Sequence, residues 1–434
     1  MPRARLLLLA LLGLGAALPG LAQTPVQEEL QAQQDPAQLE RGAYLARAGD
    51  CAACHTAPGG EPYAGGRALQ TPLGTLYSSN ISPDPKTGIG SYSFADFDRA
   101  VRLGVAKGGL RLYPVMPYPS YAKLDEQDMR ALYAYFLGGG VAAVKQENRD
   151  SGIPWPLNLR WPLALWNGLF LDAEPFQPRA DQDAQWNRGA YLVQGLAHCG
   201  ACHTPRGLGL QEQALDERTP GFLAGASLGG WDAYNITPHP QDGIGAWSDE
   251  ELLRYLKTGA LPGKSQAAGP MAEAVEHSLR HLTDDDLRAI VAYLRSVKAV
   301  GRERGKARHE WGTPAAEVLA LRGVEFDPKK HDGARLFLGH CASCHAWTGE
   351  GVPDGYYPAL LHNSTVGAAS ATNLIQVLLY GVRREGADGQ TFMPGFAASL
   401  DDAQLAALVN YLTRQFGNPD NRVTAAQIAA LRRP

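Results

Sequence analysis

The pentapeptide Cys51-Ala52-Ala53-Cys54-His55 constrains this chain more than any other stretch. It has the form Cys-x-x-Cys-His, the attachment signature of c-type haem. Thiols three residues apart on a helical turn share a face, so both can bond one porphyrin edge as thioethers. The histidine one place on then reaches the iron from below the ring. The pentapeptide returns as Cys199-Gly200-Ala201-Cys202-His203 and as Cys341-Ala342-Ser343-Cys344-His345, and the three copies use all 6 cysteines. Disulfides in a secreted chain, or zinc on paired Cys-x-x-Cys motifs, are the competing uses of such cysteines. Neither demands a histidine after each pair. With 11 His in 434 residues, chance supplies all three about 2 times in 100,000. The sequence therefore predicts three haem c groups, tethered by Cys51 and Cys54, Cys199 and Cys202, and Cys341 and Cys344. His55, His203 and His345 are their first axial ligands.

A length of 434 residues suits about three domains, and the chain repeats accordingly. Tyr77-Ser78-Ser79-Asn80-Ile81-Ser82-Pro83 and Gly88-Ile89-Gly90 in module one match Tyr234-Asn235-Ile236-Thr237-Pro238 and Gly243-Ile244-Gly245 in module two. Module three lacks this loop and carries Tyr356-Tyr357-Pro358 and Asn363-Ser364-Thr365 instead. A closing helix is expected after each N-cap, at Asp125, Thr283 and Asp401. Asp128, Asp286 and Gln404 three residues on resemble the second half of a capping box. Tyr135, Tyr293 and Tyr411 lie ten residues past each cap, with Leu132, Ile290 and Leu408 at helical spacing between, and are expected in the core. Gly42, Gly189 and Gly333 sit in the opening helices, where a glycine lets the closing helix approach. The expected fold is all-α: three tandem class I-type cytochrome c domains at 36–137, 183–300 and 328–418. A Pro/Trp-rich linker at 138–182, a polar linker at 301–327 and a tail at 419–434 complete the mature chain.

Each iron needs a sixth ligand. Met116, Met271 and Met393 fall one per module, between the haem motif and the closing helix. Asn80 precedes Met116 by 36 residues, as Asn235 precedes Met271. Pro117, Pro270 and Pro394 adjoin them, stiffening the loops expected to present the sulfurs. These three methionines are the predicted distal ligands, and Met129, inside a closing helix, is read as core. The remaining histidines show no ligand spacing; His198 and His340 stand too close to their neighbouring cysteines to serve.

Arg3, Arg5, an apolar run from Leu6 to Leu18 and the small residues Gly20 and Ala22 read as a signal peptide over 1–22. That places the chain outside the cytoplasmic membrane, where c-type attachment occurs. No later apolar run reaches the length of a spanning helix. The run from Trp161 to Leu171 is expected to pack between modules, with a face for a partner or membrane as the alternative. A net charge of −4 argues against nucleic acid as a partner.

These segments together resemble the three-haem cytochrome c subunit of membrane-bound bacterial dehydrogenases acting on alcohols, gluconate, sugars or aldehydes. The resemblance rests on the haem motifs, Thr71-Pro-Leu-Gly-Thr-Leu-Tyr77, Asn80-Ile-Ser-Pro83, Leu112-Tyr-Pro-Val-Met-Pro-Tyr118, Cys199-Gly-Ala-Cys-His-Thr-Pro205 and Asn235-Ile-Thr-Pro238. It implies a flavin- or quinone-dependent dehydrogenase large subunit as electron donor, leaves room for a small third subunit, and implies ubiquinone or a terminal oxidase as acceptor. It also implies peripheral attachment to the periplasmic side of the membrane, with no catalytic residue in this chain. Relatives that serve molybdenum-containing hydroxylases, a multi-haem peroxidase and a free periplasmic shuttle remain the alternatives.

Overall fold

The computed structural model describes residues 35–316 and 332–432. The expected signal peptide lies outside them, as do residues 317–331, where the second linker ends and module three begins.

In module one, α1 (Pro36–Ala48) leads into the motif helix α2 (Cys51–His55). A hairpin of β1 (Ala68–Thr71) and β2 (Gly74–Tyr77) follows. Then come α3 (Phe94–Leu103), the short α4 (Tyr118–Tyr121) and the closing α5 (Glu126–Leu137). The linker holds α6 (Leu163–Phe170). Module two repeats the order with α7 (Ala184–Tyr191), α8 (Gly200–His203), β3 (Ala226–Leu228), β4 (Trp231–Ala233) and α9 (Asp249–Thr258). It continues with β5 (Ala260–Leu261), β6 (Ser265–Gln266), α10 (Gly269–His277) and the closing α11 (Asp284–Ser296). Module three has α12 (Gly333–His340), α13 (Ala342–His345) and α14 (Thr372–Tyr380). Its hairpin is β7 (Val382–Gly386) and β8 (Gly389–Met393), followed by the closing α15 (Asp402–Phe416) and α16 (Ala425–Arg432).

One crossing builds every module: the opening helix lies directly on the closing one. A Cβ added to Gly42 would stand 2.1 Å from the Ala131 carbonyl oxygen and 2.5 Å from Tyr135 Cβ. At Gly189 the same distances are 2.0 Å to Ala289 and 2.8 Å to Tyr293, and at Gly333 they are 2.2 Å to Ala407 and 2.6 Å to Tyr411. No side chain fits at these positions, so the backbones touch. Tyr293 and Tyr411 are buried and Tyr135 half-buried beside the crossing. A single apolar core runs through modules one and two, from Leu45, Met129 and Leu132 to Leu192, Ile290 and Tyr293. Module three has its own, around Phe337, Leu408 and Phe416.

Two expectations change. The fold is helical in its cores but not all-α: each described module carries antiparallel hairpins. They are loop devices, since two strands alone are marginal without helices beneath them. The β3–β4 turn is Gly229-Gly230, both at positive φ (57° and 80°), the backbone that a two-residue turn of this hand requires. The second concerns the linker, where the expected packing between modules holds on one side only. Helix α6 fully buries no residue, but that side lies between Tyr118 and Leu103 of module one and Gly209 of module two. Trp166 donates to the Gly209 carbonyl at 2.8 Å and Asn167 accepts from Tyr118 at 2.7 Å. These hold one side down, while Trp161, Leu165 and Leu169 are exposed on the other.

The crossing yields a paired prediction. Gly333→Ala should destabilise module three by about 1–3 kcal/mol through overpacking. Gly339→Ala, on the same helix with no atom within 4 Å of the added carbon, should be neutral or stabilising by up to about 1 kcal/mol. Denaturant titration of the two variants checks both signs.

Candidate functional site

The three motif histidines share one environment. His55 Nδ1 lies 2.7 Å from the Ser79 carbonyl, His203 Nδ1 2.6 Å from that of Tyr234, and His345 Nδ1 2.7 Å from that of Pro358. A carbonyl only accepts, so Nδ1 carries the proton and Nε2 is left with its lone pair. That is the tautomer a metal-ligating histidine needs, with the outer hydrogen bond fixing the ring plane. Burial lowers the pKa of all three, keeping the imidazoles neutral.

Each acceptor carbonyl sits on a loop tied down by an asparagine. Asn80 Oδ1 accepts from the Ser82 amide at 2.9 Å, and its amide donates to the Val144 carbonyl at 2.8 Å. Asn235 accepts from Thr237 at 2.8 Å and donates to the Val300 carbonyl. The chain leaving each closing helix is thus stitched to the loop that aims the histidine. Module three, expected to differ here, keeps the turn itself: Asn363 Oδ1 accepts from the Thr365 amide at 2.9 Å. The second linker is tied in as well. Arg308 donates to the Asp242 carbonyl at 2.7 Å and lies over the Tyr234 ring at 4.4 Å.

The cysteines fit tethering better than thiolate chemistry. None is in a disulfide, and among the described residues no three His, Cys, Asp or Glu side chains converge as a metal-binding set. Burial, ahead of every other cause, pushes Cys51, Cys199 and Cys341 up to about 12 and Cys54 up to about 11. A buried thiolate is therefore disfavoured, whereas a thioether has no charge to bury. Cys202 is reached by solvent, yet surrounding protein still raises its pKa, as at the wall of a crevice. This donor set — two cysteines outside any disulfide and one oriented neutral imidazole per motif — fits haem.

Two arginines escaped the sequence reading. Arg67 donates to the Ala53 carbonyl at 2.5 Å, and Arg206 donates to the Ala201 carbonyl. Both carbonyls occupy the second variable position of a motif, so the two arginines clamp equivalent turns. Their separations from those alanines are 14 and 5 residues, and no common spacing could have revealed them.

The predicted distal ligands occupy three different settings. Met116 sits in a bend, half-buried against the core shared by modules one and two. Met393 ends β8, paired in register with Val382. Met271 was expected in a loop; it lies in the first turn of α10, packed against the small core of Ala267, Ala272, Val275 and Leu279. Pro270 explains the change, since proline suits the start of a helix. Met129 is fully buried in α5.

Comparison with known proteins places this geometry. The cytochrome c family profile matches residues 39–139, 187–298 and 331–415. The chain belongs to the cytochrome c family. It resembles the gluconate 2-dehydrogenase cytochrome c subunit of Pantoea cypripedii, at 44% identity over 92% of this chain and 91% of that one. It is 42% identical to the cytochrome c subunit of the quinone alcohol dehydrogenase of Gluconacetobacter polyoxogenes, over 95% of this chain and 86% of that one. The fructose dehydrogenase cytochrome subunit of Gluconobacter japonicus is 41% identical over 91% and 82% respectively. As a cytochrome c, this protein binds haem c covalently and transfers electrons.

The methionine settings can be tested. Met116→Leu, Met271→Leu and Met393→Leu should each turn one haem high-spin and lower its potential. Met129→Leu should leave the spectrum unchanged and cost under about 1.5 kcal/mol, as a volume-conserving core swap does. Absorption spectra and redox titration separate the cases. A high-spin haem in Met129→Leu would refute the assignment in module one.

Proposed function

We propose that this chain is the electron-carrying subunit of a dehydrogenase at the periplasmic face of a bacterial cytoplasmic membrane, with three haem c groups. Electrons would come from a flavin- or quinone-dependent large subunit and leave to ubiquinone or an oxidase. The observation that carries the reading is the threefold recurrence of a histidine with Nδ1 held by a carbonyl and two cysteines, none in a disulfide, on the same turn.

Haem, once bound, supplies a one-electron couple. The chain's own residues do the rest. Cys51 and Cys54, and their counterparts, would tether it. His55, His203 and His345 would offer Nε2 to the iron while the Ser79, Tyr234 and Pro358 carbonyls hold their rings. Met116, Met271 and Met393 would supply the other protein ligand, which would close the iron to substrate and raise the potential. The buried cores around the motifs keep water away and hold the modules at fixed separations, which is the protein's share of cofactor chemistry.

Attachment would be peripheral. Among the described residues no helix is long and apolar enough to cross a membrane. The open side of α6 offers a suitable face: Trp155, Trp161, Leu165 and Leu169 are 77%, 67%, 64% and 75% exposed. Arg160 adjoins Trp161 in sequence, half-buried with its guanidinium on the Arg111 carbonyl and over the Tyr113 ring, and no acidic residue occurs between Gly152 and Leu171. Tryptophan at the headgroup level and arginine toward anionic lipid is the usual chemistry of such contacts.

The test has two steps. Mass spectrometry of the denatured mature protein should show three haems. The oxidised protein should then be reduced by an alcohol, aldehyde or sugar acid only when the large subunit is present. Rapid reduction by any such substrate without a partner would point to a catalytic haem and overturn the proposal.

A further inference from the structure

Modules one and two exchange a helix cap. In an ordinary capping box the side chain three residues past the cap reaches back to the cap's own amide. Module three does this: Gln404 accepts from the Asp401 amide at 2.9 Å, and Asp401 accepts from the Gln404 amide at 2.8 Å. Modules one and two, expected to do the same, do not. The Asp125 amide donates to Tyr191 Oη of module two at 3.4 Å, and that hydroxyl donates to Asp128 Oδ2 at 2.7 Å. Reciprocally, the Thr283 amide donates to Tyr44 Oη of module one at 3.3 Å, and that hydroxyl donates to Asp286 Oδ2 at 2.5 Å. Each aspartate is also gripped by the arginine three residues before its own module's tyrosine. Arg41 Nε is 2.7 Å from Asp128 Oδ1, while Arg188 binds Asp286 through two nitrogens, both at 2.7 Å.

The residues involved are the repeated Arg41-Gly-Ala-Tyr44 and Arg188-Gly-Ala-Tyr191, so the contact is a two-fold exchange between equivalent positions. Module three has Asp332, Arg335 and Gln404 at those positions and cannot take part. Burial, then the bond to Asp286, raises the Tyr44 pKa, and Tyr191 is raised likewise. Both hydroxyls therefore stay protonated and donate at every working pH.

The chain that carries each capping tyrosine leads into a haem motif, Tyr44 standing 7 residues before Cys51 and Tyr191 8 before Cys199. Tyr121 donates to the Gly49 carbonyl at 2.7 Å, just before Cys51, and its ring lies 5.6 Å from that of His198, just before Cys199. The starts of the first two motifs thus meet across the same junction. We propose that Tyr44 and Tyr191 are positioning residues for electron exchange between the first and second haems: each finishes the other module's closing helix and so fixes how the two motifs face. This rests on the haem-carrying reading above.

Tyr44→Phe, Tyr191→Phe and the double variant test it in the mature holoprotein. Fewer than three haems in the wild type would defeat the underlying reading, not this one. Given three haems in every variant, amide exchange at Asp125 and Thr283 should accelerate about fivefold for each lost bond to a neutral hydroxyl. Flash-induced electron equilibration between the two haems should slow several-fold in the double variant, with spectra of the individual haems unchanged. Faster amide exchange with an unaltered equilibration rate would reduce the tyrosines to structural caps and overturn the proposal. Unchanged amide exchange would do the same by removing the exchanged cap itself.

Discussion

Everything in this molecule hangs on the direct contact of two helix backbones, repeated three times. Gly42, Gly189 and Gly333 bring an opening helix against the alanine carbonyl of a closing one. The opening helix runs straight into the haem motif, so the position of that crossing sets the position of the thiols and of the histidine. The closing helix in turn releases the strand that Asn80 or Asn235 stitches to the carbonyl aiming the histidine. A small shift at the crossing would therefore be felt at Nε2, two structural links away. Dense packing transmits such shifts because interiors have little slack.

Much of this could be read from residue spacing, and the reason is chemical. Thioether formation and iron ligation tolerate almost no variation, so Cys-x-x-Cys-His is written locally and in full. The glycine of the crossing and the caps of the closing helices are equally local signals. The proximal carbonyls at Ser79, Tyr234 and Pro358 were not legible: any residue has a carbonyl, and nothing marks the one that is used. The arginine clamps failed for a related cause, since Arg67 and Arg206 reach equivalent carbonyls from unequal distances along the chain.

The two departures from expectation, one of them partial, have a common origin. An apolar run such as Trp161–Leu171 is normally buried, and an aspartate three residues past a cap normally serves that cap. Both rules describe a chain that satisfies itself nearby. Here the apolar side of α6 is left to the outside, and Asp286 finds its hydroxyl 242 residues away on Tyr44. The hairpins were less hidden, since Gly229-Gly230 is an ordinary turn signal that a helical expectation overrode.

The exchanged caps alter what should count as a unit. Three similar segments suggest three beads that can be cut apart anywhere between them. Severing the first from the second would strand an amide at the head of each closing helix, leave each aspartate to its own arginine alone, and open a common core. A cut before the third would leave every cap whole. By caps and cores the chain therefore groups as a pair and a single, but the single is fastened to the pair: the buried Arg384 donates to the Ala267 carbonyl and Asn373 exchanges two bonds with the Asp232 backbone, and any truncation or fusion there has to replace those partners.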